Sequence, residues 1–196
     1  YGGRRFHCWR HGGHGRLSLV EALAQSCDVF FYEIAQRVGI DKISEMSRLL
    51  GLGVRHDLPL SAVAEGLAPT QAWKRQARGE SWLVGDTINA SIGQGFNLSS
   101  PLQLCVMTAR IATGRNVLPR LIKSIDGIEQ PLQGGEELGL SAAHLAQVRR
   151  GMDQVMNGRP GTARGSRIAD EAMLMAGKTG TCLLYTSDAA DEEDSV

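Results

Sequence analysis

The chain opens in a helical rhythm of short apolar clusters set between polar caps. Ser18-Leu19-Val20-Glu21 has the capping-box pattern, in which Ser accepts from the third helical N–H and Glu reaches back. It predicts a short helix from Leu19 to about Gln25. After Ser26-Cys27-Asp28 the pattern predicts a second helix over Val29 to Val38, closed by Gly39. Asp41 is expected to cap a third helix running to Leu50 and ended by Gly51. From Leu52 to Gly95 the pattern is irregular, with Pro59, Pro69 and several glycines, and reads as a long connection carrying short strands. Ser100 before Pro101 starts a helix over Leu102 to Ala112, whose low charge suggests burial. Arg120 to Asp126 alternates like a strand, and Ser141 caps a helix from Ala142 to Met156 that stops at Asn157-Gly158. Ala172 to Thr181 reads as an apolar strand with a Gly-rich end. Helices followed by strands predict a mixed α/β (α+β) domain.

Composition adds little to this picture. With 42% hydrophobic and 21% charged residues the chain is globular in character. No apolar run is long enough to span a membrane. The first residues, Tyr1-Gly2-Gly3-Arg4-Arg5, contain no initiator Met and do not read as a signal peptide, so the N-terminus is expected to be a cut with any anchor upstream. The other end resembles the translation of a transposon-type sequencing adapter, from Cys182-Leu183-Leu184-Tyr185-Thr186-Ser187 through Asp188-Ala189-Ala190-Asp191. Residues 182–196 are therefore expected to be non-native and residues 1–181 to form a partial domain. The tail holds five acids and no bases; without it 21 bases face 16 acids. The bases are dispersed, which does not indicate nucleic-acid binding. Four cysteines, at 8, 27, 105 and 182, make no disulfide framework.

Three short motifs carry candidate chemistry. Lys178-Thr179-Gly180-Thr181 ends the apolar stretch; a Lys beside small hydroxyl residues can hold a carboxylate, and Gly admits another backbone. Gly177-Lys178-Thr179 also matches the end of a phosphate loop, but that motif needs Gly where Ala172 stands. An exposed turn with a solvated Lys is the plain alternative. Ser26-Cys27-Asp28 lies between two helices, where Ser and Asp serve as caps or, alternatively, where a hydroxyl beside a catalytic Lys passes protons. Gly93-Gln94-Gly95 is a tight bend, either a plain turn or the wall of a groove.

Taken in order, these motifs resemble the second and third signatures of penicilloyl serine transferases, S-x-N or S-x-D and K-T-G. Their separation is similar to class B penicillin-binding proteins and too long for a compact β-lactamase. Gly93-Gln94-Gly95 with Pro101-Leu102-Gln103-Leu104 is similar to a class B stretch. Phe6-His7-Cys8-Trp9, Gly13-His14-Gly15, Phe30-Phe31-Tyr32 and Gly161-Thr162-Ala163 resemble the elongation branch, the penicillin-binding protein 2 group. The resemblance implies a β-lactamase-like transpeptidase fold, an antiparallel sheet flanked by a helical region. It implies peptidoglycan D,D-transpeptidation through an acyl-serine, in a bacterial inner-membrane protein with a periplasmic catalytic domain. In that scheme Ser26 relays a proton, Asp28 fixes its loop and contacts the substrate amide, and Lys178 and Thr179 orient Ser26 and the substrate carboxylate. Gly180 belongs to the same motif. Thr181, Gly93, Gln94 and Gly95 are implied substrate contacts, and an oxyanion donor is expected just past Thr181. Implied partners are peptidoglycan stem peptides, β-lactams, a cell-elongation glycosyltransferase and shape-determining membrane proteins.

One departure is plain: no Ser in the sequence is followed three residues later by Lys. The nucleophile and its base are therefore expected upstream and the fragment itself inactive. A serine β-lactamase, a β-lactam sensor and a non-catalytic cell-wall scaffold are the competing readings. No cofactor is expected for the chemistry. Cys8, His14 and Cys27 are, however, ligands of the kind structural zinc takes, with a fourth expected from His7, His11 or an upstream segment. Their spacing matches no zinc-finger signature, and buried thiols beside loop histidines are the alternative.

Overall fold

The computed structural model describes residues 5–181. The expectations for Tyr1–Arg4 and for 182–196, Cys182 and the oxyanion donor past Thr181 included, lie outside the described residues. Seven helices and two small antiparallel ribbons make up the described chain: α1 (Leu19–Ala24), α2 (Asp28–Val38), α3 (Ile40–Leu49), α4 (Gln71–Arg78), α5 (Val84–Ser91), α6 (Pro101–Thr113), β1 (Arg115–Val117), β2 (Ser124–Ile125), β3 (Ile128–Glu129), β4 (Gly134–Glu137) and α7 (Ala142–Asn157). Strand β1 pairs with β4, and β2 with β3. No described helix is long and apolar enough to cross a membrane.

Local chemistry sets most helix starts. Ser18 and Glu21 close the capping box of α1; Ser100, Pro101 and Gln103 do the same for α6, and the Ser141 side chain caps α7. Such a cap contributes about 1 kcal/mol. Helix α3 differs from expectation. Gly39, at φ 83°, both ends α2 and precedes α3, and the Asp41 carboxylate is not a cap. It instead accepts from the backbone N–H and side-chain amide of Gln71, tying α3 to the start of α4.

The stretch from 52 to 95 also departs from its sequence pattern. It holds two helices, and its sole β pairing among the described residues is an isolated bridge between Leu67 and Leu98. Thr70 caps α4 and Gly79, left-handed at φ 70°, closes it. The expected strand over Arg120–Asp126 shrinks to Ser124–Ile125 in a hairpin. Ala172–Thr181 forms no ladder among the described residues: a short 3₁₀ turn at Glu171–Met173 leads into extended chain. A strand needs a neighbour for its N–H and C=O groups. Here α7 supplies isolated contacts instead, Gly177 N–H to Met152 C=O and the Asn157 amide to Met175 C=O.

The core lies where α1 meets α7 and where α2, α3 and α5 converge. Ala22, Ile88 and Val155 are fully buried. Gly151 lets α1 approach α7, since a Cβ there would stand 2.5 Å from Leu23 Cδ1. Helix α6 is not buried as a whole. Its buried side chains include Gln103 and Arg110, each used as a tie. The Gln103 amide donates to Val54 and Glu65 carbonyls while its oxygen accepts from Ser100 N–H. Arg110 donates to Leu49 and Val117 carbonyls. Buried polar groups persist where their partners are supplied in this way.

Candidate active site

The turn between α1 and α2 places Ser26. Its backbone takes φ 49°, a left-handed conformation uncommon for a residue with a side chain, at a cost on the order of 1–3 kcal/mol. The cap position of α2 falls to Cys27, without a side-chain cap bond. The capping alternative for Ser26 and Asp28 is therefore not what the structure shows. The Ser26 hydroxyl is turned toward the far end of the chain. There Lys178 Nζ donates to Ser26 Oγ at 2.6 Å. Thr162 and Thr179 hydroxyls each lie 3.3 Å from Ser26 Oγ and 3.2 Å from one another. Lys178 Nζ also donates to the carbonyl and hydroxyl of its neighbour Thr179.

Three supports hold this group. Trp9 donates its indole N–H to the Gln25 and Ser26 carbonyls and its backbone N–H to Asp28 Oδ2. It thereby clamps the strained turn from outside. Thr162 N–H donates to the Ala24 carbonyl, joining the loop after α7 to the end of α1. Gly161 makes that path possible: a Cβ there would lie 2.3 Å from Val155 O and 2.4 Å from Gln154 O.

The group opens into a cleft of about 810 Å³ whose walls include Trp9, Ser26, Asp28, Phe31, Gln94 and Thr162. Lys178, Thr179, Gly180 and Thr181 form another side. Of the Gly93-Gln94-Gly95 bend only Gln94 lines the cleft. The glycines supply the bend, at φ 80° and 70°. Asn97 holds the bend by donating to Ala90 and Gln94 carbonyls. Trp9 and Thr162 were absent from the site residues read from sequence. Both sit inside motifs that carried the family resemblance, which was the available signal.

The electrostatics suit a group that holds anions and moves protons. Packing around its ammonium pushes the Lys178 pKa below the usual lysine value, and the Asp28 carboxylate pulls the other way. A lysine so placed gives up its proton more readily than a free one. Burial, with Asp28 and Cys8 adding, raises Tyr32 behind the turn to about 12.

A second cluster sits behind the first. Ligand atoms of Cys8, His14 and Cys27 all lie within 4.8 Å of one another, with Cys8 Sγ 3.4 Å from His14 Nδ1. Tetrahedral zinc with thiolate and imidazole ligands separates them by about 3.3–3.8 Å, so the trio fits with small adjustments. His14 Nε2 is buried without a hydrogen-bond partner. Burial raises the Cys27 thiol pKa. His7 and His11 are exposed and not part of the cluster.

The family model for the penicillin binding protein transpeptidase domain matches residues 1–195. The peptidoglycan D,D-transpeptidase MrdA of Haemophilus influenzae is 32% identical over 189 residues, covering 93% of this chain and 29% of that protein. The Escherichia coli K12 protein of the same name is 32% identical over 188 residues, covering 93% and 30%. The chain thus spans about 30% of the length of these curated relatives. Among solved structures, Pseudomonas aeruginosa PBP2 in complex with WCK 5153 superposes with a TM-score of 0.83 at 35% identity, over 91% of this chain and 41% of that one. Helicobacter pylori PBP2 in its complex with MreC gives 0.82 at 34% identity, over 94% and 34%. The fold is theirs, mixed helix with small antiparallel sheets, and the chain belongs to the penicillin-binding protein transpeptidase domain family, with relatives in its PBP2 branch.

Proposed function

We propose that the protein to which this chain belongs is a peptidoglycan D,D-transpeptidase that cross-links stem peptides during cell elongation. The observation that carries this reading is the Lys178 ammonium on the Ser26 hydroxyl, flanked by two threonine hydroxyls and open to a cleft. In the proposed reaction, a serine followed by Lys at the third position attacks the carbonyl between two D-Ala residues. No serine in this sequence is followed by lysine at the third position. The bond to the terminal D-Ala breaks and an acyl ester forms. An amine of a neighbouring strand then displaces the serine.

Within that scheme the residues of this chain bind, orient and move protons. Ser26 passes a proton to the departing D-Ala nitrogen and is re-supplied along its contact with Lys178. Lys178, Thr179 and Thr162 present a cation and hydroxyl donors to the substrate's terminal carboxylate. Asp28, held by Trp9 N–H, keeps one carboxylate oxygen for the substrate amide. Gln94 and Thr181 meet the rest of the peptide. β-Lactams, which carry a carboxylate beside a strained amide, enter the same cleft.

The relatives support a wider setting. A catalytic domain on the periplasmic side of a bacterial inner membrane suits this substrate. The H. pylori PBP2 structure contains MreC, and another solved neighbour, 32% identical, comes from a peptidoglycan synthase complex coordinating polymerization and crosslinking. Comparable shape-determining and glycosyltransferase partners are proposed for this protein.

Cys8, His14 and Cys27 are proposed to hold a structural zinc ion, which would fix the Trp9 segment against the Ser26 turn without entering the reaction. Chelation should lower the melting temperature of the zinc-loaded protein; an unchanged melt counts against the ion.

The activity is tested on the complete protein with nitrocefin and a labelled penicillin. Slow, stoichiometric trapping is the transpeptidase result. Fast turnover makes the protein a β-lactamase, and no acylation at all leaves a non-catalytic scaffold.

A further inference from the structure

The Cys8–His14–Cys27 cluster holds a second chemistry. The sulfurs of Cys8 and Cys27 lie within 4.8 Å of one another, whereas Cys105 is exposed on α6, outside the cluster. A disulfide brings two sulfurs to about 2.05 Å with Cβ atoms about 3.8 Å apart. Side-chain rotation supplies a closure of that size when the thiols already face each other. Cys8 is half-buried and reachable, while Cys27 is buried at the N-cap of α2.

We propose that Cys8 and Cys27 are a modification site, closing into an intramolecular disulfide whenever no metal ion holds them apart. This rests on the same cluster as the zinc reading, and the two states exclude one another, because a disulfide sulfur is no thiolate ligand. The oxidant is a small-molecule disulfide. Cys8, as thiolate, attacks one of its sulfurs and one small thiol leaves. Cys27 then gives its proton to water and its sulfur attacks that of Cys8, expelling the second small thiol. One S–S bond forms as another breaks, and two electrons pass from the pair to the oxidant.

The position gives the bond a consequence. Cys27 lies between Ser26 and Asp28, and Cys8 precedes Trp9, whose N–H groups hold the Ser26 carbonyl and the Asp28 carboxylate. The disulfide fastens the clamp to the turn covalently, replacing a metal tether with a bond that reductants open.

The test uses the whole chain. It is stripped of metal with a chelator, treated with oxidised glutathione, alkylated and digested without reduction. A linked Cys8–Cys27 peptide, lighter by two hydrogens than its parts, is the expected product, and prior zinc loading suppresses it. The link must dominate in buffer and lose its preference over Cys8–Cys105 in concentrated urea. Both thiols alkylated in the stripped chain, while Cys105 in the same sample is glutathionylated, overturns the proposal. So does an equal distribution of links in buffer and urea. Failure of the zinc reading looks different: the link forms equally with and without zinc, and the disulfide assignment stands.

Discussion

Lys178 Nζ donates to Ser26 Oγ at 2.6 Å, joining two residues at opposite ends of the described chain. Ser26 adopts a left-handed backbone to make that contact and leaves the cap of α2 to Cys27. Stability is given up locally so that a hydroxyl faces a lysine, as expected of a site rather than a turn.

Glycine takes φ 49° without penalty, so Ser26→Gly should raise the melting temperature while removing the hydroxyl. The gain in thermal or urea unfolding is the relieved strain, on the order of 1–3 kcal/mol, less about 0.5–1 kcal/mol for the freedom glycine adds to the unfolded chain. A variant less stable than wild type would show that the hydroxyl contacts outweigh the strain.

Gly161→Ala should be far worse than an ordinary surface change. Its Cβ would meet two carbonyl oxygens of α7, so the backbone must move and carry Thr162 away from Ser26. A loss of stability on the order of 1–3 kcal/mol is expected, together with slower penicillin acylation of the complete protein.

Gln103→Leu tests the buried ties of α6. The side chain is fully buried and feeds two loop carbonyls, Val54 and Glu65. Leucine leaves both without that donor, costing about 2–4 kcal/mol by urea denaturation. Asn97→Ala removes two donors from the Gln94 bend and should cost about 1–2 kcal/mol. Because it loosens a wall of the cleft, its larger effect should be on apparent penicillin affinity.

Tyr32 gives a pH-dependent test. Its folded pKa of about 12 stands above the ordinary value of 10.0. The unfolded chain loses this proton first as pH rises, so the stability contributed by the neutral phenol is complete below pH 10 and declines from there to about 12. Absorbance at the phenolate band should show a late-titrating component near 12 that is absent in Tyr32→Phe. A Tyr32 step near 10 contradicts its burial.

Much of this was legible in the sequence wherever the signal is local. Caps at Ser18, Ser100 and Ser141 placed α1, α6 and α7 within a residue or two. Thr70 and Gly79 mark α4 just as clearly, but prolines and glycines nearby made the whole stretch read as irregular. Asp41 misled because a carboxylate one residue inside a helix start serves a distant partner, Gln71, as readily as its own turn. The strand reading of Ala172–Thr181 finds no ladder among the described residues, because a ladder depends on a neighbour that periodicity cannot reveal. Ser26, Asp28, Gln94 and Lys178 were identified by their motifs, and the structure gathers them around one cleft. The clamp by Trp9 joins residues 16 to 19 positions apart through an indole N–H and a backbone N–H, a pairing that local periodicity does not reveal even though Trp9 sits in a motif that carried the resemblance.

In the proposed function Ser26 and Lys178 form one proton-handling, anion-binding unit, and penicillin acylation kinetics test that pairing most directly. The complete protein and its Ser26→Ala and Lys178→Ala variants should be compared at equal folded concentration. Acylation rates should fall by about 10²–10⁴-fold in each variant, with the double variant little worse than either alone. Rates within a few-fold of wild type in either single variant would contradict it.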